Sequence, residues 1–489
     1  MQEINAPKKK SAETFIKGLF GFSMSTWINC IIEFVSTPIV ALFFAAEEFG
    51  KISMFLTYVD LFLAFSYLGL DQAFTRFYNE PTGKNDKKSL LTVCLSGAMI
   101  SCVVITAIVF LMTERISIAI LDEVNYLVPL CVSIGVFSQC VLRFFRLTSR
   151  MQKNSIMYTV QSVAVTWLKK ISFIFIAFAS ATALPAIVTI AVCSIVVTVV
   201  FFFLRLPTDF SFKCDYSKKA ITPILKYSTP LILVEVILKL NNKISTLVLN
   251  GYADKEMVGI YSFAVHIAAI ISVIQQGFGA YWTPFVYENY KTSQKRIEKV
   301  HHTITFAMTC FGLLIVLFQY PIFLILSNGE YDTGRTIFSL LLIAPVCYTI
   351  SETLGLGIHL SKKTYWHIFI SAINIVLNVV LCVILVPRIG LLGAALSSAI
   401  SAICNMILKT VIGERYYKCT SSYWRMIVSL VLLLSAGLIS YFLYESLAKY
   451  IFIIVFIGIE IVIYKREVRR CYNLMISIIT KILKKGKKA

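Results

Sequence analysis

ALPAIVTIAVCSIVVTVVFFFL, residues 183–204, contains no charged side chain. At a rise of about 1.5 Å per residue such a run reaches about 33 Å, enough to cross the roughly 30 Å hydrocarbon core of a bilayer. A single backbone segment in lipid must satisfy its own hydrogen bonds, so the run reads as a helix. The alternation of period two expected of a barrel strand is absent. Similar runs lie on both sides. Fourteen spans are predicted, at 18–44, 52–72, 89–112, 125–147, 155–179, 183–204, 222–249, 259–283, 302–326, 336–360, 365–386, 391–413, 426–444 and 450–464.

Composition agrees with this reading. The 489 residues are 58% hydrophobic and 15% charged, against about 25% charged in soluble domains, and the mean hydropathy is +0.78. No stretch is left for a large soluble domain. The loops are short, which argues against membrane glycosyltransferases, polymerases and ligases that carry catalytic groups on long outside loops. The thirteen cysteines form no C-x-x-C pair and lie mostly within apolar runs, where they act as small packing residues. Neither a disulfide framework nor a metal site is expected. Walker motifs, glycine-rich nucleotide loops and H-E-x-x-H are absent, which argues against ATP-driven transport by this chain alone.

The net charge is +20, and its distribution decides its meaning. Only Lys51, Arg115, Lys255, Arg335, Arg388 and Lys449 fall in the predicted outside turns. Most other cations fall at the N-terminus, in alternate loops and in the C-terminal tail, the bias of cytoplasmic segments. The basic balance therefore reads as topology, not as nucleic-acid binding. It places both termini on the cytoplasmic side of the membrane. The first apolar run is too long for a signal-peptide core and reads as an uncleaved span. Beyond the last span, Leu474, Ile478 and Ile482 recur among lysines and arginines, the pattern of a basic helix lying on an anionic leaflet.

An internal repeat is visible. Residues 47–53 read EEFGKIS and residues 256–262 read EMVGIYS, aligning Glu47, Gly50 and Ser53 with Glu256, Gly259 and Ser262. The copies are six spans apart, so both point the same way. That implies two six-helix halves related by an axis along the membrane normal.

The run YLGLDQAFTRFY, Tyr67 to Tyr78, resembles the end of the second span in the polysaccharide-biosynthesis and O-antigen flippases of the multidrug/oligosaccharidyl-lipid/polysaccharide exporter superfamily. EEFG at 47–50 resembles that family's first outside turn, KYSTPL at 226–231 the start of its seventh span, VGIY at 258–261 the opening of its eighth, and IGLLGAA at 389–395 the beginning of its twelfth. The ordered set covers most of the chain. The resemblance implies an all-α polytopic membrane protein with about 14 transmembrane helices, two six-helix bundles in a V plus two C-terminal helices. The expected organisation is a cytoplasmic N-terminus 1–17, a first bundle 18–206, a cytoplasmic linker 207–221, a second bundle 222–416, two extra transmembrane helices 417–464 and a basic cytoplasmic tail 465–489. It further implies that lipid-linked oligosaccharide is flipped to the outer leaflet by alternating access, for capsule, exopolysaccharide or O-antigen (lipopolysaccharide) assembly. The expected partners are a polyprenyl-linked oligosaccharide, the bilayer, and polysaccharide polymerase and chain-length proteins. No enzyme activity, no cofactor and no nucleic-acid partner is expected, and a coupling proton or sodium ion stays open.

Charges inside spans are costly in hydrocarbon and should face protein or water. Glu235, Lys239 and Lys243 share one face of the seventh span at steps of four. Glu235 stands one turn before Lys239, the favourable order for a pair, which would leave Lys243 as net positive charge. Lys169 and Lys170 sit near the middle of the fifth span, continuing a polar stripe from Ser155, Thr159, Ser162 and Thr166. Together these five charged residues are expected to line a cationic cavity for a pyrophosphate or acidic sugar; the alternative is local snorkelling or structural pairing. Glu33, before the Thr37–Pro38 break, is a candidate for ion coupling or for pairing with a lysine. Glu352 is a weaker coupling candidate. Arg76 is a candidate gate or lipid-phosphate contact, or an ordinary positive-inside anchor. Glu460 reads as a helix-packing contact. The competing functions are a multidrug/cation antiporter, which would want an acidic cavity, a lipid II flippase with cationic cavity residues, and a membrane polymerase or ligase.

Overall fold

The computed structural model describes residues 24–469, apart from residues 34, 38, 81, 82, 84, 212, 291–293, 328, 362, 364 and 421. The N-terminal segment 1–17, Pro38 and the tail beyond residue 469 lie outside the described residues. The described chain is almost entirely helical, without strands. In order the helices are α1 (Met24–Phe43), α2 (Ala46–Ser66), α3 (Leu70–Phe77), α4 (Lys87–Leu111), α5 (Thr113–Leu121), α6 (Leu127–Met151), α7 (Ser155–Ala179), α8 (Ala183–Asp209), α9 (Lys218–Tyr252) and α10 (Lys255–Ala268). They continue as α11 (Ile270–Asn289), α12 (Gln294–Leu317), α13 (Gln319–Leu326), α14 (Thr333–Leu341), α15 (Ile343–Leu354), α16 (Leu356–Leu360), α17 (Tyr365–Glu414), α18 (Trp424–Phe442) and α19 (Ala448–Ile463).

Among the described residues, eleven helical stretches are long and apolar enough to cross a membrane. The expected fourteen would in addition need α7, the 16-residue α19 and a division of α17 in two. The backbone of α17 is interrupted at Ile389 and Gly390 (φ +53°, ψ −128°), just after Pro387. Proline removes a helix donor and glycine alone tolerates the second conformation, so the break falls where the sequence places the turn between 365–386 and 391–413. Elsewhere the helices are more segmented than the runs suggest. The predicted span 259–283 breaks at Ala269, and the predicted span 336–360 is built from α14, α15 and α16. By contrast α9 continues unbroken past Pro223 and Pro230.

By backbone contact the chain groups into two units. The first comprises the chain up to Phe263 with Leu326–Tyr331 and Cys382–Gly390; the second holds the remainder. In the first, α6 is central, packing on α2, α4, α7 and α8, while α9 lies along α2 and α3. That packing puts α9 with the N-terminal helices, so the contact boundary falls within α10 and not at 207–221. Phe55, Phe74, Phe144 and Phe145 are wholly enclosed there. In the second unit, α12 is central, packing on α14, α15, α18 and α19, with Trp282, Phe323, Phe338 and Tyr464 enclosed. Large apolar side chains also cover the outside, among them Ile100, Val103, Leu111, Phe203 and Val462. Exposed apolar side chains of this size suit lipid and not water.

Helix starts follow local chemistry. Asp86 caps α4: its carboxylate accepts from the Ser89 N–H at 2.7 Å, and its own N–H donates to the Ser89 hydroxyl at 2.6 Å. This reciprocal pair satisfies donors that the first helical turn would otherwise leave open. The same bonds hold the Asp86 carboxyl below the ordinary carboxylate range.

Candidate functional site

Four of the quoted motifs meet in two pairs within the first unit. Gly50 of α2 and Gly259 of α10, aligned by the internal repeat, pack directly together. A methyl group on Gly50 would lie 1.9 Å from the Lys255 carbonyl oxygen, and one on Gly259 would lie 1.8 Å from that of Ala46. The reciprocity is what a two-fold-related pair produces, and only glycine permits so close a crossing. The crossing is reinforced by the Tyr331 hydroxyl, which donates to the Phe44 carbonyl at 2.8 Å, and by Glu330, which accepts from the Ala46 N–H at 3.0 Å. Beside it, the Lys255 ammonium donates to the Ala119 carbonyl and to Asn250, and pairs with Asp122 at 3.5 Å.

The second pair of motifs meets at the other end of α2. The chain leaves α2 through Leu68 and Gly69, both with positive φ, and starts α3 at once. Gly69 abuts α9, where an added methyl would lie 2.5 Å from the Ser228 carbonyl oxygen. The rings of Phe77 and Tyr227 meet edge to face at 5.8 Å. The corner is anchored by Asp71, wholly buried, whose Oδ2 accepts from Arg143 Nη2 at 2.9 Å and Nε at 3.3 Å. Arg143 also lies over the Tyr67 ring at 5.6 Å. Breaking such a buried pair from one side strands a charge, at a typical cost of about 3–5 kcal/mol. Arg76, at the end of α3, is exposed, pairs with Glu80 at 3.3 Å and lies over the Phe77 ring.

Between these two corners lies the charged seam of α2 and α9. Lys243 Nζ is 3.3 Å from Asp60 Oδ2, and Lys239 Nζ is 3.8 Å from Asp60 Oδ1. The three side chains are each about one third exposed, so the group is neither dry nor fully solvated. The expected Glu235–Lys239 pair is not among the ion pairs of the described residues. Both lysines turn to the carboxylate across the seam, and Glu235 instead lies within electrostatic reach of Arg143. A face shared at steps of four does not by itself make a pair, because Asp60 offers both ammonium groups one acceptor from the facing helix.

A second polar seam joins α1 and α7. The Asn29 amide donates to the Ser162 hydroxyl at 2.9 Å, and Thr166 donates back to the Ser162 carbonyl. One turn on from Asn29 and two turns on from Ser162, the charge of Glu33 acts on the partly buried Lys170. Lys169 belongs to the same turn of α7; its side chain lies outside the described residues. Lys170, Lys239 and Lys243 therefore all belong to the first unit, each with a carboxylate in its surroundings.

In the second unit Glu352 lines a cleft of about 250 Å³ with Ser351, Gly355, His359, His367 and Lys409. Glu460 is wholly buried. Its carboxylate meets the Thr309 hydroxyl and, at 3.0 Å, the Ser429 hydroxyl, which ties α19 to α12 and α18. The sequence reading missed Asp60, Asp71, Arg143, His359, His367 and Lys409. For Asp60 the signal was present, as a lone carboxylate in mid-span. Among the described residues no group of acids, histidines and cysteines has metal-site geometry.

These features define a multi-pass, all-helical membrane protein with charge concentrated on helix faces. The polysaccharide biosynthesis protein family matches residues 15–286, more than half of the chain, and the chain belongs to that family. No curated protein matches it. Among solved structures it is similar to the lipid II flippase MurJ in an inward closed conformation, with 15% identity and a TM-score of 0.68 over 93% of this chain and 99% of that one. An inward-facing multidrug resistance MATE family transporter of the MOP superfamily gives a TM-score of 0.53 at 12% identity, over 79% of this chain and 94% of that one. A mutant of the Vibrio cholerae MATE transporter VcmN gives 0.54 at 14% identity, over 83% and 97%. At these identities the likeness is one of fold, and the fold is that of the MurJ and MATE transporters.

Proposed function

We propose that this chain flips lipid-linked oligosaccharide repeat units from the cytoplasmic to the outer leaflet for cell-surface polysaccharide assembly, by alternating access. The observation that carries the reading is the Asp60–Lys239–Lys243 group: two ammonium groups share one carboxylate on adjoining faces of membrane helices. The group holds a net positive charge, which suits a pyrophosphate headgroup that leaves water as it crosses. The same charge counts against a cation antiporter, whose ligand it would repel. Membership of the polysaccharide biosynthesis protein family supports the substrate class.

In this reading Asp60 occupies the lysines while substrate is absent and yields them when the headgroup arrives. Lys170, offset by Glu33, is a further cation near the path. The extra helices α18 and α19 pack within the second unit, on α12 and α14. The protein itself requires no cofactor. Its partners are the polyprenyl-linked substrate, the bilayer, and the polymerase and chain-length proteins that use the product. Both termini lie in the cytoplasm, beneath a bacterial or archaeal plasma membrane.

The similarity to MurJ along nearly the whole chain favours a second substrate, lipid II, which shares the polyprenyl pyrophosphate. Competition binding separates the two. The purified protein is given a labelled polyprenyl-pyrophosphate oligosaccharide and challenged with unlabelled oligosaccharide substrate or with lipid II. Preference for the oligosaccharide supports the proposal; preference for lipid II, or displacement by cationic drugs alone, overturns it.

A further inference from the structure

The cleft in the second unit carries chemistry that the charged seam does not use. Its walls are the end of α15 (Ser351, Glu352), α16 (His359) and both ends of α17 (His367, Lys409). The rings of His359 and His367 are 4.3 Å apart between centroids, with their planes inclined at 36°. His359 lines the cleft and is exposed. His367 Nε2 is shut off from solvent and has no hydrogen-bond partner. An enclosed imidazole nitrogen left open in this way calls for a reason, since nearly all buried polar atoms are satisfied. Imidazole is also the side chain whose ordinary pKa, about 6.5, falls where cells work.

The charges acting on the rings come from both sides of the cleft. Glu352 of α15 and Lys409 of α17 line the same cleft as the two rings. The Lys409 ammonium donates to the Ser351 hydroxyl at 3.4 Å and also feels Glu352. With neutral rings the cleft balances one ammonium against one carboxylate. One added proton fits beside Glu352. A second would place two imidazolium rings in contact next to an ammonium, which like-charge repulsion opposes.

We propose that His359 and His367 form a proton-loading site that holds a single proton between them, with Glu352 stabilising it and Lys409 forbidding a second. The proton enters from water through the cleft mouth at His359. Its arrival draws Glu352 toward the rings and repels Lys409 from them. That changes the spacing of α15 and α16 against the C-terminal half of α17. These helices also cross tightly at a glycine pair, where a methyl on Gly357 would lie 1.9 Å from the Gly413 carbonyl oxygen, so a shift at the cleft is transmitted to the crossing and not absorbed. As the source of coupling energy the site rests on the transport reading above; as a proton site it does not.

The chain has five histidines, few enough for each imidazole to be followed by isotope-labelled NMR in detergent. The proposal expects the His359 and His367 signals to move together through one shared titration step. In His367→Gln the remaining ring should titrate alone, while His266, His301 and His302 keep their wild-type signals and report an intact fold. In reconstituted vesicles, His359→Gln and His367→Gln should each remove the pH dependence of transport and lower its response to an imposed proton gradient at least tenfold. Independent titration of the two rings, or no titration of either, overturns the proton site. Unchanged proton-gradient dependence in both variants overturns its coupling role. Shared titration in a protein that moves no oligosaccharide keeps the site and refutes the substrate assignment instead.

Discussion

Replacing Asp60 by asparagine removes the one carboxylate that holds two lysines and keeps the side chain's shape. At 3.3 and 3.8 Å, and at an effective dielectric of about 20, each ammonium–carboxylate contact has a direct Coulomb energy of about 4–5 kcal/mol. The groups are each about one third exposed, and water screens and competes. Net values for such pairs fall toward about 1 kcal/mol. Freeing both lysines therefore makes about 1–2 kcal/mol available to an incoming anion, or about 5- to 30-fold in affinity. Asp60→Asn should bind a polyprenyl-pyrophosphate probe that much more tightly, and it should turn over more slowly, because affinity common to all states delays release. Binding is measured by competition in detergent and turnover by translocation in vesicles. Unchanged or weaker binding by the folded variant would refute the placeholder role and leave the seam as a structural ion pair.

Further outcomes follow from the same structure. Lys243→Ala should cut flipping at least tenfold while Lys243→Arg retains much of it, because charge survives; equal loss in both would point to packing. Gly259→Val drives a side chain into the Ala46 carbonyl and should cost at least 1–3 kcal/mol, read as a lower melting temperature, with Gly50→Val matching it by reciprocity; a neutral effect would contradict the crossing. Reporter fusions after Lys153, Lys219 and Lys299 should report cytoplasm and fusions near Asp254 and Asp332 the outside, and reversal at two sites would overturn the topology. Asp86→Ala should lose about 1 kcal/mol of helix capping. Because the native Asp86 carboxyl is held low, its contribution is present above the ordinary carboxylate range near pH 4 and is lost as pH falls through the lowered value; the wild-type and alanine stability curves should therefore converge in acid.

The helices were legible because hydrocarbon imposes a simple rule on the chain: long apolar runs, broken where backbone or charge demands it. The apolar runs 365–386 and 391–413 already left a gap where α17 breaks at Ile389 and Gly390, and the repeat picked out Gly50 and Gly259, which the structure brings into contact. The lysine stripe of α9 was also legible, since a step of four survives without tertiary structure. Partner choice was not. Lys239 had Glu235 on its own helix, and nothing in the spacing of α9 says that Asp60 stands opposite. Arg143 sits close enough to the end of α6 to pass for a loop charge, which hid its pairing with Asp71. His359 and His367 flank a turn whose geometry decides whether their rings meet. Glu352 was singled out alone because Lys409 lies more than fifty residues further along the chain and reaches it only through the return of α17.

Flipping is tested most directly by translocation itself. The purified chain is reconstituted into vesicles bearing polyprenyl-pyrophosphate oligosaccharide in one leaflet, and the appearance of glycan in the opposite leaflet is followed with a membrane-impermeant lectin. Movement of glycan should depend on the protein, be lost in Lys243→Ala and be slowed in Asp60→Asn. Glycan that stays in its original leaflet, with folded protein in vesicles that exchange cationic drugs, would contradict it.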